Sequence, residues 1–144
     1  MRNFSLLILS MAIVAVACNS KKQGGTKKNG SVMYEPTPLA LLMLDMHATS
    51  EEWKEAIQAD SLSIEIPTDF YGIYTVEATD SNVRTDLFIS LADVYLKTVK
   101  DLVETKKQKK QVKKYNITID ACVACHQVFC QGPIDKIEKL YIED

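Results

Sequence analysis

Two thiols, Cys122 and Cys125, stand three residues apart with a histidine directly behind the second, in the run Cys122-Val123-Ala124-Cys125-His126. This C-x-x-C-H spacing suits a site where each cysteine forms a thioether with one vinyl group of a haem and the imidazole becomes the proximal iron ligand. The expected cofactor is therefore one covalent haem c, held by Cys122, Cys125 and His126. Two other chemistries use the same residue types. A thioredoxin-like redox pair needs a βαβ setting with the motif near a strand end, whereas the flanking pattern here is helical. A zinc site built on Cys122, Cys125 and Cys130 lacks the usual second ligand pair, and the adjacent Cys125 and His126 are awkward corners of one tetrahedron.

The motif needs an element to carry it. Val112, Tyr115, Ile119, Cys122, His126 and Phe129 step by threes and fours, which predicts a helix over 108–131 with the motif on its buried stripe, stopped by Gly132-Pro133. A helix is also expected over 38–60, where Leu39, Leu42, Met43, Met46, Trp53 and Ile57 share one face. Within it, Thr49-Ser50-Glu51-Glu52 has the form of a capping box at which the helix could restart, but one continuous helix is the expectation. Another helix is expected over about 82–105, with Val83, Leu87, Leu91, Val94 and Leu102 on one stripe and Phe88, Tyr95 and Val99 beside it. Between these two, residues 61–81 hold Pro67, Gly72 and scattered β-branched residues without helical spacing, and read as a long ordered connection with at most one helical turn. Ile134, Ile137, Leu140 and Tyr141 suggest a short closing helix. The fold class is thus all-α: a bundle of three long helices plus a short C-terminal one.

Composition agrees with one such domain. The 144 residues are 47% apolar and 25% charged, enough apolar material for a single packed core, and the net charge of −2 points to no nucleic-acid partner. Residues 1–17 carry Arg2, an apolar run from Leu6 to Ala17 and small residues before Cys18, the pattern of a secretory signal too short to remain as a membrane span. Ala15-Val16-Ala17-Cys18 resembles a bacterial lipobox, which makes Cys18 the lipidation site and the new N-terminus; simple cleaved secretion is the other option. Residues 18–36 are polar and glycine-rich, a tether with a reach of roughly 20–25 Å. The haem-binding helical domain is expected over 37–144. Export also suits covalent haem, which bacteria attach outside the cytoplasmic membrane.

A haem motif close to the C-terminus, on the last long helix of a helical bundle, resembles the class II c-type cytochromes, the group of cytochrome c-prime and the low-spin cytochromes c-556. The resemblance covers roughly residues 38–131. It implies that the first helix faces the haem from the far side, with a methionine as sixth ligand in low-spin members and no ligand in five-coordinate ones. It also implies four helices, so that residues 61–81 replace the second by a long loop. Met43, Met46 and His47 neighbour one another on the first helix at steps of three and four. Of these Met43 lies where the family's axial methionine falls, so the implied metal ligands are His126 and Met43, with Met46, His47 or an empty position as alternatives. A homodimer through the first helices is a further implication. Asn19 resembles lipoproteins sorted to the outer membrane, giving a periplasmic, lipid-anchored location in a Gram-negative bacterium.

Function follows from the sixth position. A Met–His pair raises the reduction potential and suits one-electron transfer between redox partner proteins, whereas an open position binds NO, CO or O₂. A lipid-anchored structural protein with an idle motif is the third class. No general-base constellation or second metal site is evident, so the chain reads as an electron carrier and not an enzyme. Eight lysines between Lys97 and Lys114, against Asp101 and Glu104, make a basic end that is either a solvated face or a dock for an acidic redox partner. Cys130, left over by these assignments, is expected to face the core beside the haem as a small hydrophobe, with a disulfide-linked dimer or a redox thiol as the other options.

Overall fold

The computed structural model describes residues 35–61 and 63–143. The expected signal peptide, the expected lipidation site Cys18 and the expected tether as far as residue 34 lie outside the described residues. Within them the chain is all-α, with no strand. Among the described residues no helix is long and apolar enough to cross a membrane.

Helix α1 spans Pro38–Gln58. Proline at its first position costs no hydrogen bond, because the first amides of a helix have no partner within it. The next amide, of Leu39, donates to the Glu77 carbonyl at 2.9 Å, and the hydroxyls of Thr37 and Thr79 lie 2.9 Å apart. The helix start is thereby tied to the end of the long connection. α1 runs as one continuous helix through Thr49-Ser50-Glu51-Glu52, as expected, and the Ser50 hydroxyl donates back to the Met46 carbonyl one turn earlier at 2.8 Å. It stops at Asp60, which takes a left-handed φ of 57°. The Ser61 amide then reaches Ala56 and the Asp60 amide reaches Ile57, the paired bonds of a Schellman ending. Leu42, Met46, Ser50, Trp53 and Ile57 form its buried face.

The connection after α1 contributes core. A 3-10 segment, Thr68–Tyr74, buries Phe70 and Ile73 and lies against α1 and the following helix. The Phe70 ring stands 5.9 Å from that of Trp53 and 6.4 Å from that of Tyr95. Arg84 fastens the connection from outside: its guanidinium donates to the carbonyls of Ile73 and Val76 and lies 5.5 Å above the Phe88 ring.

Helix α2, Asp86–Val103, begins where the Thr85 hydroxyl accepts the Phe88 amide at 3.2 Å. It starts four residues later than the spacing suggested, and its buried face is rotated. Phe88, Ala92, Tyr95, Leu96, Val99 and Leu102 are inside, while Leu87 and Val94 are 53% and 50% exposed. Val83 falls in a separate 3-10 turn, Ser81–Val83. The Phe88–Phe129 edge-to-face pair, with centroids 5.5 Å apart, helps to set this rotation.

Helix α3, Gln108–Phe129, makes the most extensive contact with α2. Tyr115 and Ile119 are fully buried, and the Tyr115 hydroxyl donates to the Ser50 carbonyl of α1 at 2.9 Å. The chain then turns through Gly132 and Pro133 into a short helix α4, Ile134–Ile137, and a 3-10 turn, Glu138–Leu140. Two polar side chains hold this closing segment down. Lys54 donates to the carbonyls of Lys139 and Tyr141 at 2.9 and 2.8 Å, and Asn116 exchanges two hydrogen bonds with the Ile142 backbone. Ile137, Leu140 and Ile142 are buried as a result.

Candidate functional site

Cys122, Cys125 and His126 all lie inside α3, where steps of three and four bring side chains to one face. They line one wall of a cleft. α1 contributes Met43, Met46, His47 and Ser50 to the same cleft, and α2 contributes Leu91, Ala92 and Tyr95. Ile73, Ala121, Ile137 and Leu140 complete the lining. The space free of protein atoms is about 520 Å³ with the open mouth counted, so a large planar group would lie partly in the mouth. Every candidate ligand expected from the sequence on the first and last long helices is present in this one cleft.

The two motif thiols are free. Burial pushes the Cys122 thiol up to about 12 and raises that of Cys125 as well. A redox-active dithiol depends on the opposite shift, toward thiolate at neutral pH. With no strand near the motif, the thioredoxin-like chemistry has neither the setting nor the electrostatics it requires.

His126 is held by its own helix end. Its Nδ1 lies 3.0 Å from the Cys130 carbonyl oxygen, an acceptor that places the ring proton on Nδ1 and leaves the Nε2 lone pair free. Metal-binding histidines commonly carry this outer hydrogen bond. Cys130 therefore serves the site through its backbone. Its side chain is exposed, contrary to the expected core position, because α3 ends at Phe129 and Cys130 turns into an extended conformation with φ −160°.

Two polar atoms in the lining are buried without a partner, His47 Nε2 and the Tyr95 hydroxyl. Unmatched buried polar atoms are uncommon, and at a cleft wall they mark positions that a bound group would satisfy. The lining is otherwise mainly apolar. Two thiols and an available imidazole on one wall, apolar side chains between and orphaned polar atoms opposite are the donor set that a covalently held haem requires, and the residues fit it. Among the described residues no group of three or more His, Cys, Asp or Glu side chains is placed to hold a bare metal ion.

The phenols around the cleft make stability depend on pH. Burial raises the pKa of both Tyr95 and Tyr115 above the ordinary 10. Above pH 10 the unfolded chain has released these protons while the folded chain still holds them, so stability is complete below pH 10 and falls as pH rises. The fall is expected to approach about 1.4 kcal/mol per pH unit for each phenol. Urea midpoints compared at pH 8 and pH 11 measure it, and Tyr115→Phe is expected to flatten the dependence.

The basic end is partly self-neutralised. Lys97 and Lys114 approach Asp101 at 3.7 and 3.3 Å, and Lys100 approaches Glu104 at 3.9 Å. The hydrogen bond from Lys114, with the charge of Lys97, holds the Asp101 carboxyl below its usual range. Exposed pairs of this kind add little stability.

Comparison of the chain with family models, with curated proteins and with solved structures gives no match.

Proposed function

We propose that this chain is a mono-haem c-type cytochrome, exported and lipid-anchored through Cys18, that passes single electrons between redox partner proteins. The observation that carries the reading is the single cleft shared by Cys122, Cys125 and His126 with Met43, Met46 and His47. The order of these elements, motif helix last and facing helix first, supports the likeness to class II c-type cytochromes. In that likeness the connection built on Phe70 stands where the second of four helices is usual.

When bound, a haem supplies reversible one-electron exchange between ferric and ferrous iron. The chain's own residues do the rest. Cys122 and Cys125 provide the covalent bonds, and His126, oriented by the Cys130 carbonyl, provides the proximal nitrogen. Leu91, Ala92, Ile137 and Leu140 keep water from the interior, which raises the cost of changing charge there and so influences the potential. α1 supplies the facing wall, where Met43, the residue the resemblance implies, Met46 and His47 are the side chains that could complete the iron's coordination. The lysines near the α2–α3 junction left outside the Asp101 and Glu104 pairs offer a docking face for an acidic partner.

One observation favours a second reading, a five-coordinate haem that binds NO, CO or O₂. The Tyr95 hydroxyl lines the cleft and is buried without a hydrogen-bond partner, a donor that a bound diatomic molecule would satisfy. The visible spectrum of the loaded protein separates the two. An electron carrier is expected to be low-spin when ferric and to take up CO slowly or not at all after reduction. A high-spin ferric spectrum with rapid CO uptake would replace electron transfer by gas binding.

A further inference from the structure

We infer that His47, and not Met43, is the residue of α1 that binds the iron, giving two axial imidazoles. The inference rests on the haem reading above and selects among the residues of that cleft. The chain has two histidines, and both line the same cleft. His126 Nδ1 is hydrogen-bonded to the Cys130 carbonyl at 3.0 Å, whereas His47 Nδ1 stands 3.7 Å from the Glu51 carboxylate one helical turn further on, beyond hydrogen-bond reach but close enough for its charge to favour a proton on that nitrogen. In a neutral imidazole the ring proton belongs on the nitrogen that faces the acceptor, and Nε2 keeps its lone pair.

Exposure divides the His47 ring in the same sense. The side chain is 28% exposed, yet Nε2 is buried and has no hydrogen-bond partner. The exposed part of the ring thus lies elsewhere than at Nε2, which is enclosed without a partner. Neither nearby thioether is in this condition. Met46 is part of the buried core, and Met43 is packed against it; a thioether sulfur leaves no hydrogen-bonding demand unmet. His47 is the α1 residue whose surroundings are incomplete without a ligand-accepting atom.

The consequence is a lower reduction potential than a Met–His pair would give, since a thioether ligand raises it. Glu51 acts as a positioning residue: the negative charge of its carboxylate, 3.7 Å from Nδ1, makes the imidazole a stronger donor and would favour the ferric state.

The test uses the full chain produced in a strain able to attach haem. Electron paramagnetic resonance and near-infrared magnetic circular dichroism of the ferric protein distinguish two nitrogen ligands from a nitrogen and a thioether. The expected spectrum is low-spin with two nitrogens. His47→Ala is expected to become high-spin and to bind CO at least tenfold faster after reduction, and added imidazole to restore the low-spin state. Glu51→Gln is expected to stay low-spin while its potential rises. A thioether signature in the unaltered protein, or the loss of the low-spin state in Met43→Leu and not in His47→Ala, would overturn the inference while leaving the haem reading intact. Protein without covalent haem would overturn both.

Discussion

Replacement of Cys122 and Cys125 together by alanine is expected to give a helical, folded chain that carries no covalently attached haem, while Cys130→Ala keeps full attachment. The contrast follows from where the three thiols lie. Cys122 and Cys125 open on the cleft, whereas Cys130 is exposed at the end of α3. What Cys130 gives the site is a carbonyl oxygen for His126, and an alanine backbone offers the same atom. Truncating two small side chains at a cleft wall costs about 1–2 kcal/mol, a fraction of the roughly 5–15 kcal/mol that holds a domain together. Loss of haem in the double variant would therefore report lost bonds and not lost folding, provided circular dichroism shows unchanged helix. A haem stain on a denaturing gel reads the outcome. Attachment that survives the double change, or fails in Cys130→Ala, would show that the motif is not the anchor.

Phe70→Ala is expected to be the most damaging single change away from the cleft, at about 3–5 kcal/mol. Phe70 is 1% exposed and stands between Trp53 of α1 and Tyr95 of α2. Its removal opens a cavity at the point where the long connection substitutes for helical packing, and both aromatic pairs are lost with it. A fall of at least about 10 °C in the melting temperature follows. Its neighbour Tyr71 is exposed, so Tyr71→Ala is expected to stay within about 0.5 kcal/mol. Urea unfolding of the two variants measures the difference. A Phe70→Ala cost below about 1 kcal/mol would mean that the connection is not part of the cooperative core.

The same residues show what could be read in advance. The common position of Cys122, Cys125 and His126 is legible in the sequence because their spacing is local: they need nothing beyond their own helix to stand on one face. α1 was legible for a similar reason, with Pro38 at its start and apolar residues at a clear helical period. The face of α2 was not, because Leu87, Leu91 and Val94 fit that period as well as Phe88, Tyr95 and Val99. The Thr85 cap and the Phe88–Phe129 pair decide between them, and the second is a contact with a distant segment. The exposure of Cys130 is not legible because the helical spacing continues to Gln131, whereas the helix itself ends at Phe129.

Other features depend on partners far along the chain. Phe70 sits in a 3-10 segment with no periodic signal, so its burial shows only once α1 and α2 surround it. Gln111 is fully buried with both amide atoms unpartnered, which no polarity pattern would suggest. Lys54 and Asn116 read as surface residues, yet their hydrogen bonds hold the closing segment against the cleft wall. The free Nε2 of His47 likewise belongs to the assembled structure, since spacing alone sets His47 level with Met43 and Met46.

The central claim is that an iron porphyrin is bonded to α3. Mass spectrometry of the intact, denatured protein from a strain able to attach haem tests it most directly, followed by sequencing of the peptide that contains Cys122 and Cys125. The account predicts a mass increase of one haem per chain, retained through denaturation and carried by that peptide. A colourless protein with the mass of the unmodified polypeptide domain, and both cysteines free to react with an alkylating reagent once unfolded, would contradict it.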